Sequence, residues 1–148
     1  MDGIERLGDF FLTSQPLEEL SGLSAGAASG AVVTFWGRVR DHNDGRGVTG
    51  LEYSAYEELA VKEGRRIVAE AVARFGVDAA RAVHRVGRLA VGDAAVVVEV
   101  AAGHRGEGFD ACRWIIDEIK ARVPIWKQED YVEGDRAWVT PANTTPAS

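Results

Sequence analysis

Two apolar patterns with a helical period constrain the fold of this chain more than any other feature. In residues 57–75, apolar side chains recur at the spacing of one helix face, and Gly76 follows as a typical helix stop. Residues 107–123 repeat the pattern and end before Pro124, because the residue that precedes a proline disfavours the helical conformation. The sequence therefore predicts two long amphipathic helices, each of which must bury one face.

Short segments of β type flank and separate these helices. They are rich in β-branched and aromatic residues or alternate apolar with polar positions. The predicted strands are residues 31–36 (buried), 48–55, 82–86, 94–101, 125–127 and 137–139, with a short helix at 16–21 and a mobile charged loop at 41–47. We predict an α+β class with a mostly antiparallel or mixed sheet, in one domain over residues 1–140 that a flexible polar tail follows at 141–148.

Composition excludes several classes of function. The chain has 23 acidic and 17 basic residues, so its net charge of -6 disfavours sequence-independent binding of nucleic acid. Cys112 is the only cysteine, which excludes an intramolecular disulfide and a zinc site built from cysteines. The chain lacks an apolar run of the roughly 20 residues that cross a bilayer, and its first residues are acidic where a signal peptide is basic. We expect a cytoplasmic protein.

Lys120 is the first candidate functional residue, because it lies beside the apolar face of the second predicted helix. The arc predicted to face the core contains Phe109, Cys112, Ile116, Ile119 and Val123. In one interpretation, the stem of Lys120 packs on the core and its ammonium group reaches water. In the other, the ammonium group points into a pocket, where it acts as a nucleophile or in acid–base chemistry, or simply binds an anion.

Other basic residues have a functional and a structural interpretation each. Lys127 follows an aromatic residue on a short strand and is either a site residue or the outward lysine of an edge strand. His104 and Arg105 precede the second helix, where backbone N–H groups attract anions, or they simply cap it. Arg38 and Arg40 belong to a basic cluster that is either functional or a solvated hairpin loop.

The sequence predicts neither a bound metal nor an organic cofactor. Cys112 lies on an apolar helix face and His84 in an apolar strand, so we interpret both as structural residues. The three histidines are scattered and have no spacing typical of metal ligands. The glycine-rich loops that bind nucleotides and the G-x-S-x-G motif of hydrolases are missing from the sequence.

Taken together, the basic clusters resemble one enzyme family. The segments that carry the resemblance are residues 37–43 after a V-V-T-F strand, 51–53, 83–87, His104-Arg105 followed by Phe109, 120–127 and 133–136. The K-x-x-x-P-x-W-K segment at 120–127 is the most specific of them. In order and spacing they are similar to the large, catalytic subunit of molybdopterin synthase, over residues 30–138.

The resemblance implies an enzyme of molybdenum cofactor biosynthesis. Members of that family convert cyclic pyranopterin monophosphate (precursor Z) into molybdopterin by installing two dithiolene sulfurs. The sulfur comes from the C-terminal thiocarboxylate of a small ubiquitin-like subunit, and two large subunits form a homodimer within a heterotetramer. The fold implied is an α/β hammerhead with an added antiparallel β subdomain.

The resemblance also assigns roles to individual residues. Lys120 and Lys127 match the catalytic lysines of the family, and Arg40, His104 and Arg105 match residues expected to bind the phosphate or pterin of the substrate. Arg38 is a fourth candidate for substrate binding, at a position where a lysine is common in the family. Two non-catalytic alternatives remain: a module that binds the ubiquitin-like sulfur carrier, and a protein that binds a pterin phosphate.

Overall fold

The computed structural model describes residues 8–139, so the tail predicted at 141–148 lies outside the described residues. Its two α-helices are α1 (Glu57–Phe75) and α2 (Arg105–Arg122). The strands are β1 (Gly8–Thr13), β2 (Ala31–Arg38), β3 (His42–Asn43), β4 (Arg46–Ala55), β5 (Ala79–Arg85), β6 (Gly87–Ala90), β7 (Ala94–Ala102), β8 (Ile125–Tyr131) and β9 (Arg136–Val139). The predicted α+β class is confirmed.

The first sheet carries both helices on one face. Its strand order is β1-β5-β7-β2, with β1 parallel to β5 and the other neighbours antiparallel. The main core lies between this face and the helices, where alternate residues of β5 and β7 pack against α1 and α2. Gly76 adopts the left-handed conformation (φ 65°) that ends α1, as its position in the sequence predicts.

The second sheet is antiparallel and is built around the long strand β4. It has the order β3-β4-β8-β9, and β6 also pairs with β4. One face of this sheet packs inward through Leu51 and Leu89, which meet Val39 and Ala95 in a small core of their own. Because β6 follows β5 directly, the two sheets are close to each other where β5 ends.

Several local predictions are wrong. The helix predicted at 16–21 is a single 3-10 turn, Leu17–Glu19. Strands β1 and β6 were not predicted, because their segments are short and lack a clear alternation. The loop at 41–47 is a tight hairpin, in which Asp44 (φ 51°) and Gly45 (φ 78°) form the turn between β3 and β4.

The predicted burial of β2 and of Phe109 is also wrong. β2 is an edge strand, and Trp36 on it is 43% exposed. Phe109 is 59% exposed, although it falls on the arc of α2 predicted to face the core. It lies in the first turns of α2, where Gly108 takes the inward position. A Cβ added at Gly108 would lie only 3.1 Å from Val33 Cγ2.

Candidate functional site

Lys120 lies in the last turn of α2, above the start of β7. Helix α2 follows β7 and packs back over it. Lys120 is fifteen residues beyond Arg105, or about 22 Å along the helix axis. Six strand residues back from Ala102 to Val96 span about 20 Å. The exposed Lys120 therefore lies near Val96 and near His84, the ladder partner of Val96 on β5.

His84 is the buried residue near Lys120. Burial is the main cause that lowers its pKa to about 4; a hydrogen bond to the backbone of Arg85 opposes this effect, and the positive charge of Lys120 adds to it. That bond joins His84 Nδ1 to the Arg85 carbonyl oxygen at 2.8 Å. The imidazole also meets the ring of Tyr53 edge-on, with 4.8 Å between the ring centroids. His84 is therefore neutral near pH 7 and held on two sides.

Tyr53 contacts His84 on one side and lies opposite Lys127 on the neighbouring strand. It lies on β4, directly opposite Lys127 on β8, so both side chains are on the same inward face of the second sheet. Burial raises the pKa of Tyr53 to about 12, and the negative charge of Glu129 contributes in the same direction. The outward orientation of Lys127, one of its two interpretations, is therefore wrong, and Trp126 takes the outer face instead.

A buried carboxylate holds Lys127 in place. Lys127 Nζ lies 3.5 Å from Glu129 Oε2, and the two side chains are 33% and 4% exposed. The other oxygen, Oε1, accepts hydrogen bonds from Asn43 Nδ2 at 2.9 Å and from the Tyr131 hydroxyl at 3.1 Å. Two neutral donors thus fix the carboxylate, and its second oxygen faces the lysine.

Sequence reasoning missed Glu129, Tyr53 and Asn43, and it treated His84 as purely structural. The alternation of Lys127, Glu129 and Tyr131 along β8 was the available signal, because three polar residues on one face of a strand are unusual for a core. The pattern could not show which face is inward. That depends on the pairing of β8 with β4.

Arg38 and Arg40 lie at the end of β2, beside the start of β7. Arg38 pairs with Ala94 in the ladder, and its Nε donates a hydrogen bond to the Gly92 carbonyl oxygen at 3.2 Å. The backbone of Val39 is tied to Asp93 by a hydrogen bond of 2.9 Å. Both arginines are exposed at the end of the first sheet over which Lys120 lies.

His104 and Arg105 lie at the opposite end of α2. His104 occupies the N-cap position without a capping hydrogen bond from its side chain, which is 90% exposed, and its Nδ1 lies 3.8 Å from Glu107 Oε2. Arg105 begins the helix and is exposed as well. The distance of about 22 Å along α2 separates this pair from Lys120. One copy of the chain therefore does not bring all the predicted site residues together.

The distribution of lysine draws attention to the region between Lys120 and Lys127, where the ring of His84 contacts Tyr53 and Tyr53 lies opposite Lys127; we call this region the cleft. The chain has only three lysines among its 17 basic residues, and the third is Lys62 on α1. Arginine makes nearly all the surface ion pairs, as in the contacts of Arg122 with Glu63 and Glu70. A lysine ammonium can exchange a proton, whereas guanidinium stays charged. Two lysines in this one region therefore indicate a role in proton transfer or catalysis rather than in surface ion pairs.

Comparison with known proteins identifies the family. The profile of the family described as "MoaE protein" matches residues 12–122. The chain belongs to the MoaE family. It is 47% identical to the molybdopterin synthase catalytic subunit of Pyrococcus abyssi over 126 residues, which cover 81% of this chain and 85% of the relative. It is 45% identical to that of Salmonella typhimurium, with 82% and 81% covered.

Solved structures agree with this family. The molybdopterin synthase of Staphylococcus aureus matches with a TM-score of 0.79 and 31% identity, covering 90% of this chain and 97% of the other. A complex of subunits 1 and 2 of the molybdopterin-converting factor of Helicobacter pylori shares the fold, with a TM-score of 0.63 and 23% identity over 78% and 75% of the two chains. The predicted sulfur-transferring enzyme of molybdenum cofactor biosynthesis is confirmed. Neither helix of residues 8–139 is long and apolar enough to cross a membrane.

Proposed function

We propose that the cleft between Lys120 and Lys127 is the place where this MoaE-family chain converts precursor Z into molybdopterin. The sulfur would come from the C-terminal thiocarboxylate of a small ubiquitin-like subunit. The observation that carries the proposal is a chain of neighbours that joins two of the three lysines. Lys120 lies near His84, the ring of His84 contacts Tyr53, and Tyr53 lies opposite Lys127, which is paired with a buried carboxylate. No metal or organic cofactor takes part in the proposed reaction.

Lys120 is the proposed catalytic group. Its ammonium group is exposed at the cleft, so a substrate and a partner's C-terminal tail can both reach it. There it donates a proton to the oxygen that leaves the substrate carbon, or stabilises the negative charge on that oxygen, as the thiocarboxylate sulfur bonds to the carbon. Water then cleaves the acyl–sulfur bond, which leaves the sulfur on the substrate and a carboxylate on the partner. Its backbone is held at the end of a helix, a rigid element from which the side chain extends.

Lys127 is the proposed second lysine of the reaction. Glu129 fixes the position of its ammonium group, and Asn43 and Tyr131 fix Glu129 in turn. A lysine side chain otherwise samples many rotamers, and the ion pair reduces that freedom. Lys127 would thus assist Lys120 from a defined place on the opposite wall of the cleft.

Substrate binding is proposed for the arginines and for His104. Arg40 and Arg38 lie at the same end of the first sheet as Lys120, where guanidinium groups suit a phosphate. His104 and Arg105 are too far along α2 to join the same site within one chain. We propose that they complete the site of a second copy, in a homodimer whose interface brings the two ends of α2 from different copies together.

A small protein partner follows from the same proposal. The fold of this chain is shared with a solved complex of two molybdopterin-converting subunits. Phe35, on the exposed edge strand β2, is a candidate wall of the channel that receives the partner's tail. The proposed assembly is a heterotetramer of two copies of this chain and two small subunits. A single cysteine, free and buried, suits the cytoplasm as its compartment.

The test combines the purified chain, precursor Z and a thiocarboxylated small subunit. Molybdopterin is measured after oxidation to its fluorescent derivative, for the wild type, Lys120→Ala and the matched control Lys62→Ala. We expect product from the wild type and the control, and almost none from Lys120→Ala. A wild-type chain that binds the small subunit but forms no product would refute the proposal and favour the binding module.

A further inference from the structure

The buried histidine beside the cleft has a fixed tautomer. A carbonyl oxygen only accepts hydrogen bonds, so the 2.8 Å contact with Arg85 places the proton of the neutral imidazole on Nδ1. Nε2 therefore carries an unshared electron pair. Because Nδ1 is bound to the strand's own backbone, Nε2 is on the far side of the ring, directed away from that backbone.

His84 and Lys120 lie at the same end of the main core. His84 shares the helix-facing side of β5 with Ala80 and Ala82, which are buried under the helices. Tyr53 meets the ring edge-on and thereby restricts its rotation. Val96, the ladder partner of His84, packs in the same core cluster as Ile119 of α2, so the end of α2 that carries Lys120 lies close to the ring. A neutral acceptor with a fixed tautomer thus lies close to an exposed lysine, whose long side chain can bring its ammonium group to the ring.

From this geometry we propose that His84 is a positioning residue for Lys120. Its Nε2 accepts a hydrogen bond from the Lys120 ammonium group and holds that group over the cleft during sulfur transfer. The inference rests on the proposed function, since it assigns His84 a role in the reaction of the same site. His84 itself transfers no proton, because burial keeps it neutral and its other nitrogen is occupied by the backbone.

Two substitutions separate this role from a structural one. In His84→Gln, the side-chain oxygen reaches about as far as Nε2 and keeps an acceptor for Lys120. In His84→Asn, the amide N–H replaces Nδ1–H toward Arg85, but no acceptor reaches the lysine. Both variants lose the ring and its contact with Tyr53, so each is the matched control of the other for packing.

The first readout is molybdopterin formation with the thiocarboxylated small subunit, as kcat and KM separately. We expect His84→Gln to keep kcat within about threefold and His84→Asn to lose at least about tenfold, the effect of one hydrogen bond to a charged group. Partner affinity should stay the same in both variants. Equal kcat values in the two variants would overturn the proposal.

The second readout needs no activity and no change at His84. The ¹⁵N resonance of His84 Nε2 is followed in the otherwise wild-type chain, in Lys120→Gln and in Lys62→Gln. We expect Lys120→Gln to move this resonance more than that of Nδ1, and Lys62→Gln to move neither. An unmoved resonance in Lys120→Gln would overturn the pairing. A moved resonance in a chain that forms no molybdopterin would retain the pair and refute the proposed function instead.

Discussion

Replacement of Glu129 by glutamine tests how the cleft holds its second lysine. The substitution Glu129→Gln keeps the volume and the Oε1 acceptor that Asn43 and Tyr131 use. It removes the negative charge 3.5 Å from Lys127 Nζ and directs an amide N–H toward the ammonium group. The change is therefore almost purely electrostatic.

The expected loss of stability in Glu129→Gln follows from the burial of the carboxylate. Glu129 is 3% exposed, so the lost charge–charge contact is only weakly screened on its side, whereas Lys127 is partly open to water. We expect the free energy of unfolding to fall by about 1–2 kcal/mol, below the cost of leaving a fully buried charge unpaired. Because Lys127 then loses its fixed position, molybdopterin formation should fall about tenfold or more.

The assay compares urea unfolding and molybdopterin formation in Glu129→Gln and Glu133→Gln. Glu133 is an exposed partner of Arg46, so its substitution should change the free energy of unfolding by less than about 0.5 kcal/mol and leave activity intact. Wild-type activity in Glu129→Gln, with the chain folded, would refute the argument that the ion pair positions Lys127.

Three further predictions concern stability. Gly64→Ala should lower the free energy of unfolding by about 3 kcal/mol, because the new Cβ would lie 2.3 Å from the buried ring of Phe10; Gly106→Ala, whose Cβ meets open space, is the control in urea unfolding. His84 has a folded pKa of about 4, so the unfolded chain binds the extra proton between pH 6.5 and 4, and stability should fall by roughly 3 kcal/mol across that range. Urea unfolding at pH 7 and pH 4.5 should show a smaller loss in His84→Gln, and an equal loss would contradict the assignment. Arg122→Met should lower the midpoint of thermal unfolding by several degrees, since the Arg122 side chain joins three carboxylates of the two helices. An unchanged midpoint would show that these partly exposed contacts contribute nothing to stability.

Some of the candidate site could be predicted from the sequence, and the reason is local. The position of Lys120 beside an apolar face depends only on the helical period of α2, and that helix ends at the predicted place before Pro124. The pattern of lysines, arginines and histidines was sufficient to identify the family, which the comparisons confirm. Neither inference requires knowledge of distant contacts.

The sequence by itself determined the two helices and which lysines, arginines and histidines are candidates for the site, because periodicity and residue type are properties of short segments. Only the tertiary structure decided which face of β8 is inward, and therefore that Lys127 lies beside Tyr53 and Glu129. Strand pairing sets that choice, and a shift by one residue would reverse it. The same holds for His84, whose neighbours come from β4 and α2, far apart along the chain.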